Sequence, residues 1–156
     1  MMARAAFWCR VADTLAAGLL LGLGTLGLLD AVYFTLVTYG WLRPDPRWLP
    51  GICRMDTDTC ARIVQSRWAK VFGLPNSVYG IAWYAIVIVA GVAGLVTGTI
   101  ARCQDLAGAA LVVVAVSLLL VWALVARLRT PCALCYAAHV VNVLILGVAA
   151  WTCYAT

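Results

Sequence analysis

Four apolar stretches, separated by short polar or basic ones, set the rhythm of this chain. No Lys, Arg, Asp or Glu falls between Thr14 and Leu29, and the apolar character continues through Asp30 to about Trp41. Three more uncharged stretches run from Val71 to Ala101, from Leu106 to Ala126 and from Thr130 to Thr156. Each meets the roughly 20 apolar residues that a helix needs to cross the hydrocarbon of a bilayer. The pattern predicts an all-α, integral membrane four-helix bundle, a single domain over residues 1–156. Helix one is expected at about 14–41, helix two at about 76–100, helix three at about 106–127 and helix four at about 131–153. A long loop, about 42–75, joins helices one and two. Within it, "DTDTCARIVQSRWAKVF" sets Cys60, Val64, Trp68 and Val71 on one helical stripe, with Asp58 as candidate cap. That predicts a short helix lying in the interface.

Composition agrees: 65% hydrophobic residues, a mean hydropathy of +1.01 and no glutamate are far outside the range of a soluble domain. Arg4 and Arg10 ahead of an apolar core near Leu15 have the look of a secretory signal. That core ends in "LLDAVYFTLV", with no small-residue cleavage site, and is expected to stay as helix one. The net charge of +5 calls for no nucleic acid. Basic loops beside anionic headgroups account for it, and no nucleic-acid motif is present.

Four crossings place both termini on one face, and the long loop together with the turn "RLRTP" on the other. This sorts the seven cysteines. Cys53 and Cys60 in the loop share a face with Cys132 and Cys135 at the start of helix four. Cys9, Cys103 and Cys153 lie near the opposite face, where two could pair, although apolar or incidental cysteines are the simpler expectation. Two cysteine pairs beside a membrane suit dithiol–disulfide exchange, in which a thiolate attacks a disulfide and passes the oxidised state along. Thr130 as N-cap and Pro131 as first helical residue would set Cys132 and Cys135 in the first turns of helix four. The positive end of the helix dipole there favours the thiolate, which is the working nucleophile. Two alternatives use the same residues: a structural four-cysteine zinc site, and a non-enzymatic membrane module whose cysteines staple a loop.

Cys132, Cys135, His139 and Asn142 recur at three, four and three residues and stack on one helix face. Polar groups within a bilayer face the bundle interior or a cavity. Asn142 reads as helix–helix glue, while for His139, one turn below the C-x-x-C, the same glue and a pocket role are equally open. Spacing alone makes Asn76 the N-cap of helix two. Asp30 is an acid inside an apolar run, near the headgroups or paired with a buried donor, and takes no function from its position.

In order and between the right helices, "CRMDTDTC", "SRWAKVFGLPNSVYG" and "PCALC" resemble the vitamin K epoxide reductase family of membrane thiol oxidoreductases. The resemblance is dense from Cys53 to Asn142 and implies a C-x-x-C beside a bound quinone, of ubiquinone, menaquinone or vitamin K type. It implies that Cys135 passes electrons to the quinone and that Cys132 exchanges with Cys60. Cys53 then exchanges with a thioredoxin-like partner. Asn76 matches a position that hydrogen-bonds a quinone oxygen, and Ser66 a serine that orders the loop. Val64, Trp68, Tyr79 and Leu120 match pocket walls, and His139 falls where animal members carry a quinone-contacting tyrosine. The implied output is disulfide formation in client proteins. The same site run on dithiols as fuel would make a vitamin K quinone or epoxide reductase. Most characterised relatives place the cysteine face outside the cytosol. Basic residues point the other way, since Arg43, Arg47, Arg54, Arg62, Arg67, Lys70, Arg127 and Arg129 lie on that face against Arg4, Arg10 and Arg102 opposite. Both orientations stay open on sequence.

Overall fold

A computed structural model describes residues 2–42, 66, 69–71, 73–100, 102–129 and 132–155. Four helices carry it: α1 (Met2–Thr38), α2 (Asn76–Thr97), α3 (Cys103–Trp122) and α4 (Ala133–Ala155). Each contains a span long and apolar enough to cross a membrane, beginning in α1 at Val11. The chain is an all-α, multi-pass membrane bundle. Its surface fits lipid, with Leu26, Val96 and Leu118 among the large apolar side chains turned outward.

Several boundaries differ from the sequence expectation for physical reasons. Charge marks where hydrocarbon ends, not where hydrogen bonding ends, so α1 extends back through Arg10 and Arg4 to Met2. α3 runs on through a π-helical turn, Ala123–Leu128, and closes at Arg129 with φ 50°. α2 stops at Gly98, whose φ of 74° is a left-handed cap that glycine adopts at no steric cost. The interfacial helix expected around Cys60, Val64 and Trp68 lies outside the described residues. Val71, the last residue of that stripe, belongs instead to a strand, Lys70–Val71, paired antiparallel with Leu74–Pro75 in a two-residue hairpin.

Lipid tails are as apolar as leucine, so close backbone approach rather than water exclusion joins these helices. α1 packs chiefly on α2 and also on α4, while α3 packs on α4. The α1–α2 seam is made of small residues. A Cβ on Gly91 would stand 2.8 Å from the Leu21 nitrogen and 2.9 Å from the Ala17 oxygen, both backbone atoms that cannot swing aside. Leu20, Val87 and Ile145, all fully buried, form the centre of the main core. A smaller cluster of Tyr33, Leu124 and Cys132 packs near the start of α4. Because α2 and α3 touch little, a gap remains between them, walled at the sides by α1 and α4.

Candidate active site

The site is built outward from the start of α4. Ala133 is the first helical residue, and Cys132, rather than Thr130, stands in the cap position. The Tyr136 N–H donates to the Cys132 carbonyl oxygen at 3.0 Å, and the Cys135 N–H donates to Cys132 Sγ at 3.1 Å. A sulfur thus accepts the bond that a serine or threonine oxygen usually takes at a helix N-terminus. Thr130 and Pro131 lie outside the described residues. Cys132 and Cys135 form a disulfide with their Cα atoms 5.2 Å apart. Cys132 is 1% exposed, packed in the cluster with Tyr33 and Leu124.

Cys135 faces the gap between α2 and α3, which is a mostly apolar cavity of about 340 Å³. That volume falls in the range of small-molecule pockets. The cavity gathers Ser66, Asn76, Tyr79, Leu120, Cys135 and His139, residues far apart in sequence and from the loop and three helices. Cys53, Cys60, Val64 and Trp68 lie outside the described residues. Asn76 is the first residue of α2 and makes no cap hydrogen bond, because Pro75 holds the cap position. The N-cap expected from spacing is therefore corrected, and the Asn76 side chain belongs to the cavity wall. Ser66 Oγ accepts the Ala69 N–H at 3.2 Å, closing a turn just before the hairpin.

A polar chain stiffens the wall. Trp83 Nε1 donates to Asn142 Oδ1 at 3.2 Å, and Asn142 Nδ2 donates to Ser117 Oγ at 3.0 Å, linking α2, α4 and α3. Asn142 is buried at this crossing, in keeping with a helix–helix role. The Tyr84 hydroxyl donates to the Ala138 carbonyl oxygen at 3.4 Å, and the Ser77 hydroxyl lies 2.9 Å from Thr35 Oγ1. Asp30, Phe34, Trp83, Tyr84 and Ser117 are cavity residues that the sequence did not assign to a site. Only Asp30 carried a signal, being an ionisable residue inside a span. The others are ordinary residues of helix faces, and their membership depends on which helices meet.

The end of the bundle near the termini holds the second disulfide, Cys103–Cys153, with Cα atoms 5.5 Å apart. It overturns the simpler expectation of incidental cysteines there. It fastens the first residue of α3 to the last turns of α4. Arg102 and Asp105 form an exposed 3.9 Å ion pair beside it. The side chain of Cys9 lies outside the described residues.

Comparison with known proteins adds a family. The family model described as "Vitamin K epoxide reductase family" matches residues 18–150. No curated protein sequence matches the chain. The match reaches into all four helices and takes in the cavity and Cys132–Cys135, and membership implies oxidoreductase chemistry of disulfide-forming cysteines with a quinone-type reactant in general. With the fold, the cysteine pair and a family match over most of its length in agreement, the chain belongs to the vitamin K epoxide reductase family.

Proposed function

We propose that the protein is a membrane thiol:quinone oxidoreductase that generates disulfides. Electrons enter from a thioredoxin-like partner at Cys53 and Cys60, pass to Cys132 and Cys135, and leave to a quinone in the cavity. The observation that carries this reading is the position of Cys135, disulfide-bonded to Cys132 on one side and bordering an apolar, membrane-embedded cavity on the other. A lipid-soluble reactant and a water-soluble dithiol can meet only where hydrocarbon ends, and α4 begins there.

The cavity residues fit a quinone. The walls are largely apolar, and a few polar groups, Asn76 and His139 among them, converge on the space, as a planar apolar ring with polar oxygens requires. When bound, the quinone supplies a two-electron, two-proton sink. Asn76 and His139 orient it through hydrogen bonds to its oxygens, Tyr79 and Leu120 wall it in, and Val64 and Trp68 complete the enclosure. Ser66 holds the loop that carries Cys60. Cys132, once reduced, is aided as a thiolate by the N–H of Cys135 directed at its sulfur. The disulfide at Cys132–Cys135 supports redox use of this pair over use as zinc ligands.

Purified protein in detergent, supplied with a dithiol donor and ubiquinone, menaquinone or vitamin K, is expected to form quinol. Cys135→Ala and Cys132→Ala are expected to stop it. Absence of turnover with all three quinones, or full turnover in Cys135→Ala, would remove this reading. Orientation has its own assay, a side-specific reporter at the C-terminus. An outward C-terminus puts the active cysteines in the cytosol, as the basic residues favour, and an inward one puts them outside, as in relatives.

A further inference from the structure

Among the described residues, two buried polar side-chain atoms have no hydrogen-bond partner: Asp30 Oδ1 and His139 Nδ1. Both residues line the one cavity. Their neighbours set them apart, because Trp83, Asn142 and Ser117 on the same walls satisfy one another. Native interiors leave few such atoms open, and those that remain call for a water, a ligand or a catalytic use. An acid within a membrane span is also costly to keep unless it works in transport or proton transfer.

Their depths are suggestive. On α1 the cavity is lined from Thr38 down to Asp30, a drop of about 12 Å at 1.5 Å per residue. On α4 it is lined from Cys135 through His139 to Asn142, a descent of about 10 Å. Asp30 therefore stands at the inner end, Cys135 near the outer end, and His139 between them. Asp30 and His139 make no direct hydrogen bond, and the cavity they share is large enough to hold water. Among the described residues, the other titratable groups on these walls are Tyr79 and Tyr84 from α2 and Cys135 from α4. α3 presents none there, its contribution being Ser117 and apolar residues such as Val116 and Leu120.

We propose that Asp30 and His139 form a proton relay from the inner end of the cavity to a quinone oxygen. Asp30 Oδ1 passes a proton through a cavity water to His139 Nδ1, and His139 Nε2 gives up its own proton to the oxygen. The proposal rests on the thiol:quinone reading above. Two electrons leave the sulfurs of Cys132 and Cys135 as their S–S bond forms, and two protons reach the two oxygens. The two thiols release the same number, so Asp30 lends a proton and recovers it within each cycle. The relay serves the oxygen that Cys135 does not face. Asp30 acts through His139 and is a relay residue, whereas His139 touches the reactant.

The test compares the full-length native chain in detergent with Asp30→Asn, which keeps shape and hydrogen bonding, and Asp30→Glu, which keeps the acid. Quinone binding by tryptophan quenching is expected to be equal in all three. Single-turnover quinol formation is expected to slow about a hundredfold in Asp30→Asn and to return in Asp30→Glu, the scale of a lost general acid. The pH–rate profile of the native chain should contain a limb that Asp30→Asn lacks and Asp30→Glu retains. Independently of turnover, infrared difference spectra of native protein with and without quinone should contain a carboxyl band that moves in deuterated water and is missing in Asp30→Asn. Absence of that band from the native chain overturns the relay whether or not the variants fold. Equal rates in Asp30→Asn and native, or loss of quinone binding in Asp30→Asn, overturns it as well. A native chain that neither binds nor reduces quinone overturns the underlying reading, a result distinguishable from failure of the relay alone.

Discussion

The bond between Cys132 and Cys135 closes three residues at the start of one helix, whereas that between Cys103 and Cys153 spans 50 and joins two helices. In the chain-entropy treatment a cross-link over 50 residues stabilises by about 4 kcal/mol, and one over three by roughly half as much. The surroundings differ in the same sense. Cys135 borders a cavity that could admit a reactant, and Cys103 and Cys153 do not line it. A short bond beside an open cavity is suited to being made and broken, and a long one between helix ends to being kept. Cysteine chemistry here is decided by loop length and neighbours, not by the thiol itself.

The strongest way to break this comparison is to exchange the phenotypes. Cys135→Ala should reduce quinol formation to background while lowering the unfolding free energy by no more than about 2 kcal/mol, half the bound for the longer bond. Cys103→Ser with Cys153→Ser should do the reverse, keeping turnover but lowering unfolding free energy by up to about 4 kcal/mol. Helices held by a bilayer limit the freedom of the unfolded chain, so the measured loss should be smaller than that bound. A double variant that loses turnover while still folded would make the far bond part of the redox path. Asn142 lies on α4 between the two disulfides and bonds both α2 and α3. Asn142→Leu should cost about 1–2 kcal/mol by denaturant titration, the scale of two lost interhelical bonds. It should leave thiol exchange at Cys132 and Cys135 intact. Smallest of all, Asp105→Ala removes an ion pair exposed to water on both sides and should change stability by less than about 0.5 kcal/mol. A larger loss would mean that this end is held by charge as well as by sulfur.

The four spans were legible because each is a long uncharged run, and hydrocarbon thickness translates directly into residue count. The stripe of Cys132, Cys135, His139 and Asn142 was legible in part: helical spacing puts the last three along the cavity, whereas Cys132, at the cap, packs instead with Tyr33 and Leu124. The Cys103–Cys153 bond was hidden because no local spacing relates residues 50 apart on different helices. The hairpin escaped because strands of two residues have no periodicity, although Gly73, at φ 84°, marked its turn in "VFGLP". The start of α4 shifted because a sulfur serves as the cap, where propensity points to the hydroxyl of Thr130. Asp30 was visible as an anomaly, but its use depends on which helix faces it, and that is a property of packing.

The two disulfides stand at opposite ends of a bundle whose chain crosses four times. Insertion in either direction therefore leaves one of them on the cytosolic side. If the termini face inward, the Cys103–Cys153 staple must persist among the reductants that keep most intracellular thiols reduced. If they face outward, it is the Cys132–Cys135 bond that lies on the inner side. A cell that carries this chain therefore accommodates a sulfur–sulfur bond on the inner side of its own membrane, a staple between two helices in one case and a pair beside the cavity in the other.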